Sequence, residues 1–227
     1  MISTPRPDTG LAEDETLDDL RLRLAPLVAA NAAFDGWSKD AVAMAADNAG
    51  VDRDIAALAF DGGPLAMIDA WFASVDPAML ERFAPETLAA MKIRERITAL
   101  VEARLMLLAP HREALRRAQA ILVMPRYASR AAQLGWRAAD AIWRAAGDTA
   151  VDYNHYTKRA TLGAVYAATM LVFVNDESED FAETRAFLAR RIEGIMTFEK
   201  AKARLTGNSD QHFSMPRFLG RLRYRGR

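Results

Sequence analysis

Residues 27–60 read LVAANAAFDGWSKDAVAMAADNAGVDRDIAALAF, and the punctuation of this stretch sets the fold class. Alanines and branched apolar residues recur at helical spacing on either side of Gly36-Trp37, with no alternating pattern that would suit a strand. Ser38 and Asp52 stand where N-caps belong, because their side-chain oxygens can take the free amides of a first turn. Gly50 stands at a C-cap, where the left-handed conformation is free of a Cβ penalty. The stretch therefore predicts three short helices joined by tight turns.

The same grammar holds outward in both directions. Thr16 and Thr149 read as further N-caps, and Gly147 reads as a further C-cap. Pro64, Pro77, Pro85, Pro110 and Pro125 mark breaks. Ile93, Ile97, Leu100, Val101, Leu105 and Leu108 form one apolar stripe, with Arg94, Glu95 and Glu102 off it. Nine or ten helices and no sheet are expected, so the fold class is all-α. Residues 1–16, rich in Pro, Asp and Thr, are expected to be disordered. Residues 17–80 form a helix-turn-helix module, 85–205 a bundle of longer helices, and 211–227 a basic tail after a Gly-Asn-Ser linker.

Several chemistries are excluded by inventory. The chain has no cysteine, which removes disulfides, thiolate zinc sites and a Cys nucleophile. Its three histidines, His111, His155 and His212, offer a single acid-x-x-His pair, Asp152 with His155. A di-iron carboxylate bundle needs two such pairs. No phosphate-binding glycine motif or nucleophile elbow occurs. No metal or cofactor is expected, while spacing alone does not exclude a Ser-His-Asp triad. The N-terminus lacks a signal-peptide core, and the longest uncharged run, residues 160–174, is short of the ~20 residues a membrane-spanning helix needs.

Residues 27–60 resemble the DNA-binding module of TetR repressors: a helix, a Gly-aromatic turn, and a helix ending Ala-Gly-Val before the recognition helix. A ligand-responsive transcriptional regulator is thus one functional reading. Its electrostatics are unfavourable. From Asn31 to Pro77 the only cations are Lys39 and Arg53, against eight aspartates. A duplex reader neutralises phosphates with Lys and Arg, so no nucleic-acid partner is expected.

The polar stretch GDTAVDYNHYTKRATLGAVY, residues 147–166, is the second focus. On a helix starting near Thr149, Asp152, His155, Tyr156 and Arg159 share one face. Asp140 and Trp143 lie one helix earlier. Residue types of this kind are enriched at protein interfaces. A simple Asp152–Arg159 pair with Tyr156 packed against a neighbour is the alternative reading of the same spacing. Farther along, Leu162, Val165, Tyr166, Met170, Leu171 and Phe173 leave hardly any polar side, so the helix is expected to end in the core.

The segment DAIWRAAGDTAVDYNHYTKRATLGAVYAATMLVFVNDESEDFAETRAFLARRIEG, with MKIRERITALVEARL and AILVMP upstream, resembles the accessory lipid-binding family of ubiquinone biosynthesis, the ninth protein of the coenzyme Q pathway in eukaryotes. The motif is Ile-Trp, Ala-Gly-Asp, Asp-x-Asn-x-Tyr-Thr-basic-Arg, then an Asp-x-Ser and Phe-x-x-Thr helix start. The resemblance spans about residues 17–205. It implies a TetR-like fold that does not act as a repressor, a homodimer, and an isoprenoid or quinone lipid held inside the bundle. It also implies presentation of that lipid to a di-iron demethoxyubiquinone hydroxylase, without chemistry of the chain's own. Asp140, Trp143, Asp152, Tyr156 and Arg159 match motif positions near the hydroxylase-binding patch, and His155 stands where mammalian members have Trp.

Candidate lipid-lining residues are Ile97, Val101, Leu105, Leu122, Tyr166, Met170 and Phe187, all apolar positions of the long helices. Met67, Met91, Met106, Met124 and Met170 could add an adaptable lining. In the tail, Met215, Phe218, Leu219 and Leu222 share one helical face, and Arg217, Arg221 and Arg225 another. A basic amphipathic helix of this kind reads as a membrane-surface anchor. The expected setting is a bacterial cytoplasm, peripheral to the inner membrane.

Overall fold

In a computed structural model, which describes residues 15–148 and 153–206, the chain is all-α and contains no strand among these residues. The helices are α1 (Leu17–Asp35), α2 (Lys39–Ala49), α3 (Arg53–Ala59), α4 (Gly63–Glu81), α5 (Pro85–Ala90), α6 (Ile93–Leu108), α7 (Arg112–Leu122), α8 (Ala128–Ala145), α9 (Tyr153–Asn175) and α10 (Ala182–Thr206). The described residues up to Ala189 form one compact unit and those from Arg190 to Thr206 belong to a second, with α10 running across the boundary in sequence. The helices of the N-terminal module and α5–α9 all lie in the first unit. The tail, with Met215, Arg217, Phe218, Leu219, Arg221, Leu222 and Arg225, lies outside the described residues, as does Thr149.

The caps form as the local chemistry dictates. Thr16 and Asp19 close a reciprocal capping box on α1. Ser38 accepts from Ala41 N at the start of α2, and Asp52 accepts from Asp54 N and Ile55 N at the start of α3. Gly50 adopts φ 65°, ψ 29°, the left-handed conformation that ends α2. Pro64, Pro85, Pro110 and Pro125 each sit in the first turn of a helix or 3₁₀ turn. Pro77 differs from expectation: it lies inside α4, which continues to Glu81. Only one turn follows it, and Met79 in that turn is fully buried.

Helix α1 buries Leu20, Leu24, Ala25, Val28, Ala29 and Ala32 against α2 and α4. The aromatic turn joins this module to the rest of the unit. Trp37 is 5 % exposed, stacks on Trp71 of α4 at 5.3 Å between centroids, and donates its Nε1–H to Ala114 O of α7 at 3.1 Å. Helix α6 buries Ile97, Leu100, Val101, Leu105 and Leu108, but Ile93 is exposed at its first position. Helices α8 and α9 approach closely where Gly135 faces Gly163: a Cβ at Gly163 would stand 3.2 Å from the Gly135 carbonyl oxygen. Small residues on both helices permit this crossing.

No single helix among the described residues is long and apolar enough to cross a membrane.

Candidate functional site

Two features lie along the α8–α9 pair. At its polar end, Arg159 is 1 % exposed and organises the surrounding charges. Its Nε donates to Asp140 Oδ1 at 2.6 Å, and its Nη1 donates to Asp148 Oδ2 and to His155 O, each at 3.2 Å. Lys158 Nζ holds the other Asp148 oxygen at 2.8 Å, and Arg144 holds the other Asp140 oxygen at 2.7 Å. Burial works to raise the Asp148 pKa, but Lys158 and Arg159 outweigh it and hold the carboxyl below its ordinary value. Trp143 donates Nε1–H to Lys158 O at 3.2 Å, and the Lys158 ammonium lies 5.1 Å from the Trp143 ring centroid. Asp148 N bonds Trp143 O at 2.9 Å, so the Ala-Gly-Asp turn returns the carboxylate to α9.

The residues grouped on one face by sequence therefore divide by depth. Arg159 is internal, and its partners are Asp140 and Asp148. Asp152 lies outside the described residues. Tyr156 is 61 % exposed, His155 is half-buried, and their rings meet at 5.2 Å between centroids. Trp136 of α8 completes this aromatic cluster, 6.0 Å from Tyr156 and 6.4 Å from His155. Sequence reading passed over Trp136, although it precedes Asp140 by four residues and Trp143 by seven, the spacing of one helical face.

The second feature is a largely apolar cavity of about 200 Å³ bounded by α4, α6, α7, α8 and α9. Of the seven lipid-lining candidates, Leu122, Tyr166 and Met170 line it, alongside Phe72, Leu134 and Ala138. Met170 is the only one of the five methionines named above on this lining. Ile97, Val101 and Leu105 are 5 % exposed or less and do not line this cavity, because the α6 stripe packs on α4, α8 and α9. Phe187 of α10 is half-buried and off the lining. Leu171 differs from the expectation of a buried helix end: it is 60 % exposed, and with Val123, 79 % exposed, it borders the cavity mouth.

Polar groups also reach the cavity. Arg104, 2 % exposed, pairs with Asp76 of α4, and its Nε lies 3.4 Å from Tyr166 Oη. Arg137 of α8 bonds Asp69 Oδ1 at 2.7 Å. Arg104 falls seven residues after Ile97 and four after Leu100, so a lone cation within the apolar stripe was its sequence signal. Asp69 and Asp76, counted above in the acidic excess of the N-terminal module, here neutralise bundle arginines. Among the described residues, no group of three or more His, Asp or Glu is placed to hold a metal ion.

Comparison with known proteins gives three findings. Residues 128–199, which cover α8, α9 and most of α10, match the family model described as COQ9. Curated relatives include the human ubiquinone biosynthesis protein COQ9, mitochondrial, 30% identical over 207 residues, covering 86% of this chain and 64% of that protein. The Drosophila melanogaster protein of that name is 23% identical over 200 residues, covering 86% of this chain and 61% of its own length. The chain thus spans less than two thirds of either relative. Among solved structures, the TetR transcriptional regulator from Nitrosomonas europaea superposes with a TM-score of 0.58 at 25% identity, over 79% of this chain and 97% of that one. The all-α fold is TetR-like.

Proposed function

The chain is a relative of the COQ9 proteins of ubiquinone biosynthesis, and from that relationship we propose that it is a non-enzymatic accessory protein of that pathway. In this reading it holds an isoprenoid or quinone lipid in the α4–α9 cavity and presents it to a demethoxyubiquinone hydroxylase. The observation that carries the reading is the cavity itself, lined by Leu122, Tyr166 and Met170 and opening beside exposed Leu171 and Val123. At about 200 Å³ it is smaller than the ~300–1,000 Å³ of common ligand pockets, so it suits one end of a long lipid with the rest outside. The docking face for the hydroxylase is the aromatic cluster of Tyr156, His155 and Trp136, set on the Arg159 framework with Asp140 and Trp143. Asp152 belongs to the same motif. The basic tail, residues 211–227, supplies attachment to an anionic membrane surface, and the chain works as a homodimer.

The regulator reading is weaker on the recognition helix. Helix α3 has seven residues, is capped by Asp52 and opens Arg53-Asp54, and its one cation is committed to Asp47 at 2.6 Å. A phosphate backbone meets little positive charge there.

The reading is tested by purifying the protein under mild conditions, extracting it with organic solvent and identifying lipids by mass spectrometry. Quinone or polyprenyl species at near-stoichiometric amounts are expected. An empty extract, with no uptake of added quinone, removes the lipid-presenting role. For the docking face, Tyr156→Ala is expected to weaken hydroxylase binding by about tenfold, as an exposed aromatic anchor does. Its melting temperature and lipid content should stay at wild-type values. Unchanged affinity in a titration places the docking face elsewhere.

A further inference from the structure

Helix α3, at the recognition-helix position of the TetR-like fold, presents an apolar and acidic face. Asp54, Ala57 and Leu58 fall at i, i+3 and i+4, so they share one side of the helix. All three are exposed, Leu58 at 59 %. Leu58 borders an open groove of about 280 Å³ between α2, α3 and α4. Val42, Phe60 and Met67 line the groove at depth, and Lys39, Asp54 and Asp61 line its rim. The acids of the N-terminal module differ in their commitments. Asp69 and Asp76 pair with bundle arginines, and Asp47 pairs with Arg53. Asp54 and Asp61, at the groove, enter no ion pair among the described residues.

We propose that this groove docks a basic amphipathic helix of a protein partner. One bulky apolar side chain of that helix enters beside Leu58, and its arginines or lysines meet Asp54 and Asp61. The surface is built by α2, α3 and α4 and does not depend on the lipid pocket or on the α8–α9 aromatic cluster. Its volume is below the ~300–1,000 Å³ of common small-molecule pockets, which suits a single anchoring side chain. A helix laid in a groove is held by such anchors along its apolar face. Charge decides the class of partner. Between Asp35 and Asp61 stand six aspartates, all exposed, and the only cations are Lys39 and Arg53. A phosphate backbone and an anionic lipid surface are both repelled by that balance. A basic helix is drawn to it: the exposed carboxylates steer encounter and fix register, and the enclosed apolar anchor supplies most of the affinity.

The test titrates the full chain into a fluorescein-labelled amphipathic peptide, acetyl-ARLLRKALRKLLRA-amide, and reads anisotropy. Binding is expected at about 50 mM salt and should weaken as salt rises. Leu58→Ser is expected to weaken the peptide about tenfold, as loss of an apolar anchor does. The double variant Asp54→Asn, Asp61→Asn is expected to weaken it about tenfold at low salt and little at about 500 mM. These side chains are exposed and make no cap, so the melting temperature should stay at the wild-type value. Glu86→Gln with Glu177→Gln removes two exposed acids outside the groove and is expected to change nothing. Equal weakening by that control pair, or equal binding of the peptide with glutamate at every basic position, overturns the site. So does the absence of peptide binding at low salt. A peptide with serine at every leucine that binds as tightly as the parent overturns the apolar anchor. Tighter binding of a random-sequence DNA duplex than of the peptide overturns the assignment to a basic protein segment.

Discussion

Arg159→Met is expected to destabilise the protein by about 3 kcal/mol, the lower end of the ~3–5 kcal/mol range for removing one partner of a buried ion pair. The side chain of Arg159 is 2 % exposed, and those of Asp148 and Asp140 are 8 % and 19 % exposed, so water compensates little for the lost guanidinium. Lys158 stays on Asp148 and Arg144 stays on Asp140, which keeps the loss from the top of the range. For a domain of this size the loss lowers the melting midpoint by roughly 6–12 °C. Urea titration should show a lower midpoint at unchanged slope. A loss below about 1 kcal/mol contradicts the assignment of Arg159 as the internal tie between α8 and α9. Tyr156→Ala sets the contrast, since a surface substitution stays within about 0.5 kcal/mol. Two residues three apart on one sequence motif thus have separable roles, one internal and one presented outward.

Asp176→Ala is expected to be of comparable severity, again about 3 kcal/mol, because one buried carboxylate organises the turn between α9 and α10. It accepts from Ser178 N at 2.9 Å, Ser178 Oγ at 2.5 Å, Thr184 N at 2.8 Å and Thr184 Oγ1 at 2.6 Å. Thr184 is 1 % exposed, so its amide and hydroxyl have no water to turn to, and stranded buried donors cost about 1–3 kcal/mol each. Arg112 donates to Asp176 O at 2.6 Å and to Val174 O at 2.9 Å, which satisfies carbonyls at the end of α9. Asp180 and Phe181 take φ of 52° and 57° in the same turn, a conformation that needs the surrounding bonds to hold it. Burial acts to raise the Asp176 pKa, but the bonds from Ser178 and Thr184 outweigh it and hold the carboxyl far below 3.8. A depressed folded-state pKa contributes stability that is complete above the unfolded value near 3.8 and is lost as pH falls below it. The difference in stability between wild type and Asp176→Ala should therefore be constant from pH 5 to 8 and shrink below pH 4. A pH-independent difference points to lost packing instead. Asp176→Asn should recover part of the loss, since its amide oxygen still accepts.

How far the sequence could be read follows from the range of the interactions. Ser38, Gly50, Asp52 and Thr16 act within four residues of themselves, and each cap is legible from its neighbours alone. The DESEDFAET segment was legible as a motif, but its role as a hydrogen-bonded cap of α10 needs the geometry of Asp176. Arg104 was not legible in that way. Arg104 is buried because Asp76 and Tyr166, 28 and 62 residues away, receive it. Arg159 was grouped with His155 and Tyr156 because spacing reports which residues share a side of a helix, and not which of them meet water. Leu171 was placed in the core for the same reason, and in the structure it borders the opening of the cavity. Pro77 reads as a stop by local rules, yet α4 continues one turn past it and buries Met79 there.

The indole bond from Trp37 to Ala114 bears on how the chain is made. It closes a loop of 77 residues, so the aromatic turn of the N-terminal module cannot be seated until α7 exists. On a translating ribosome, where chain emerges N-terminus first, α1–α4 can form their local contacts early but must wait with an exposed indole. The early helices and the later ones are thereby committed to a single cooperative event, in which the start of the protein is finished only after its middle has been synthesised.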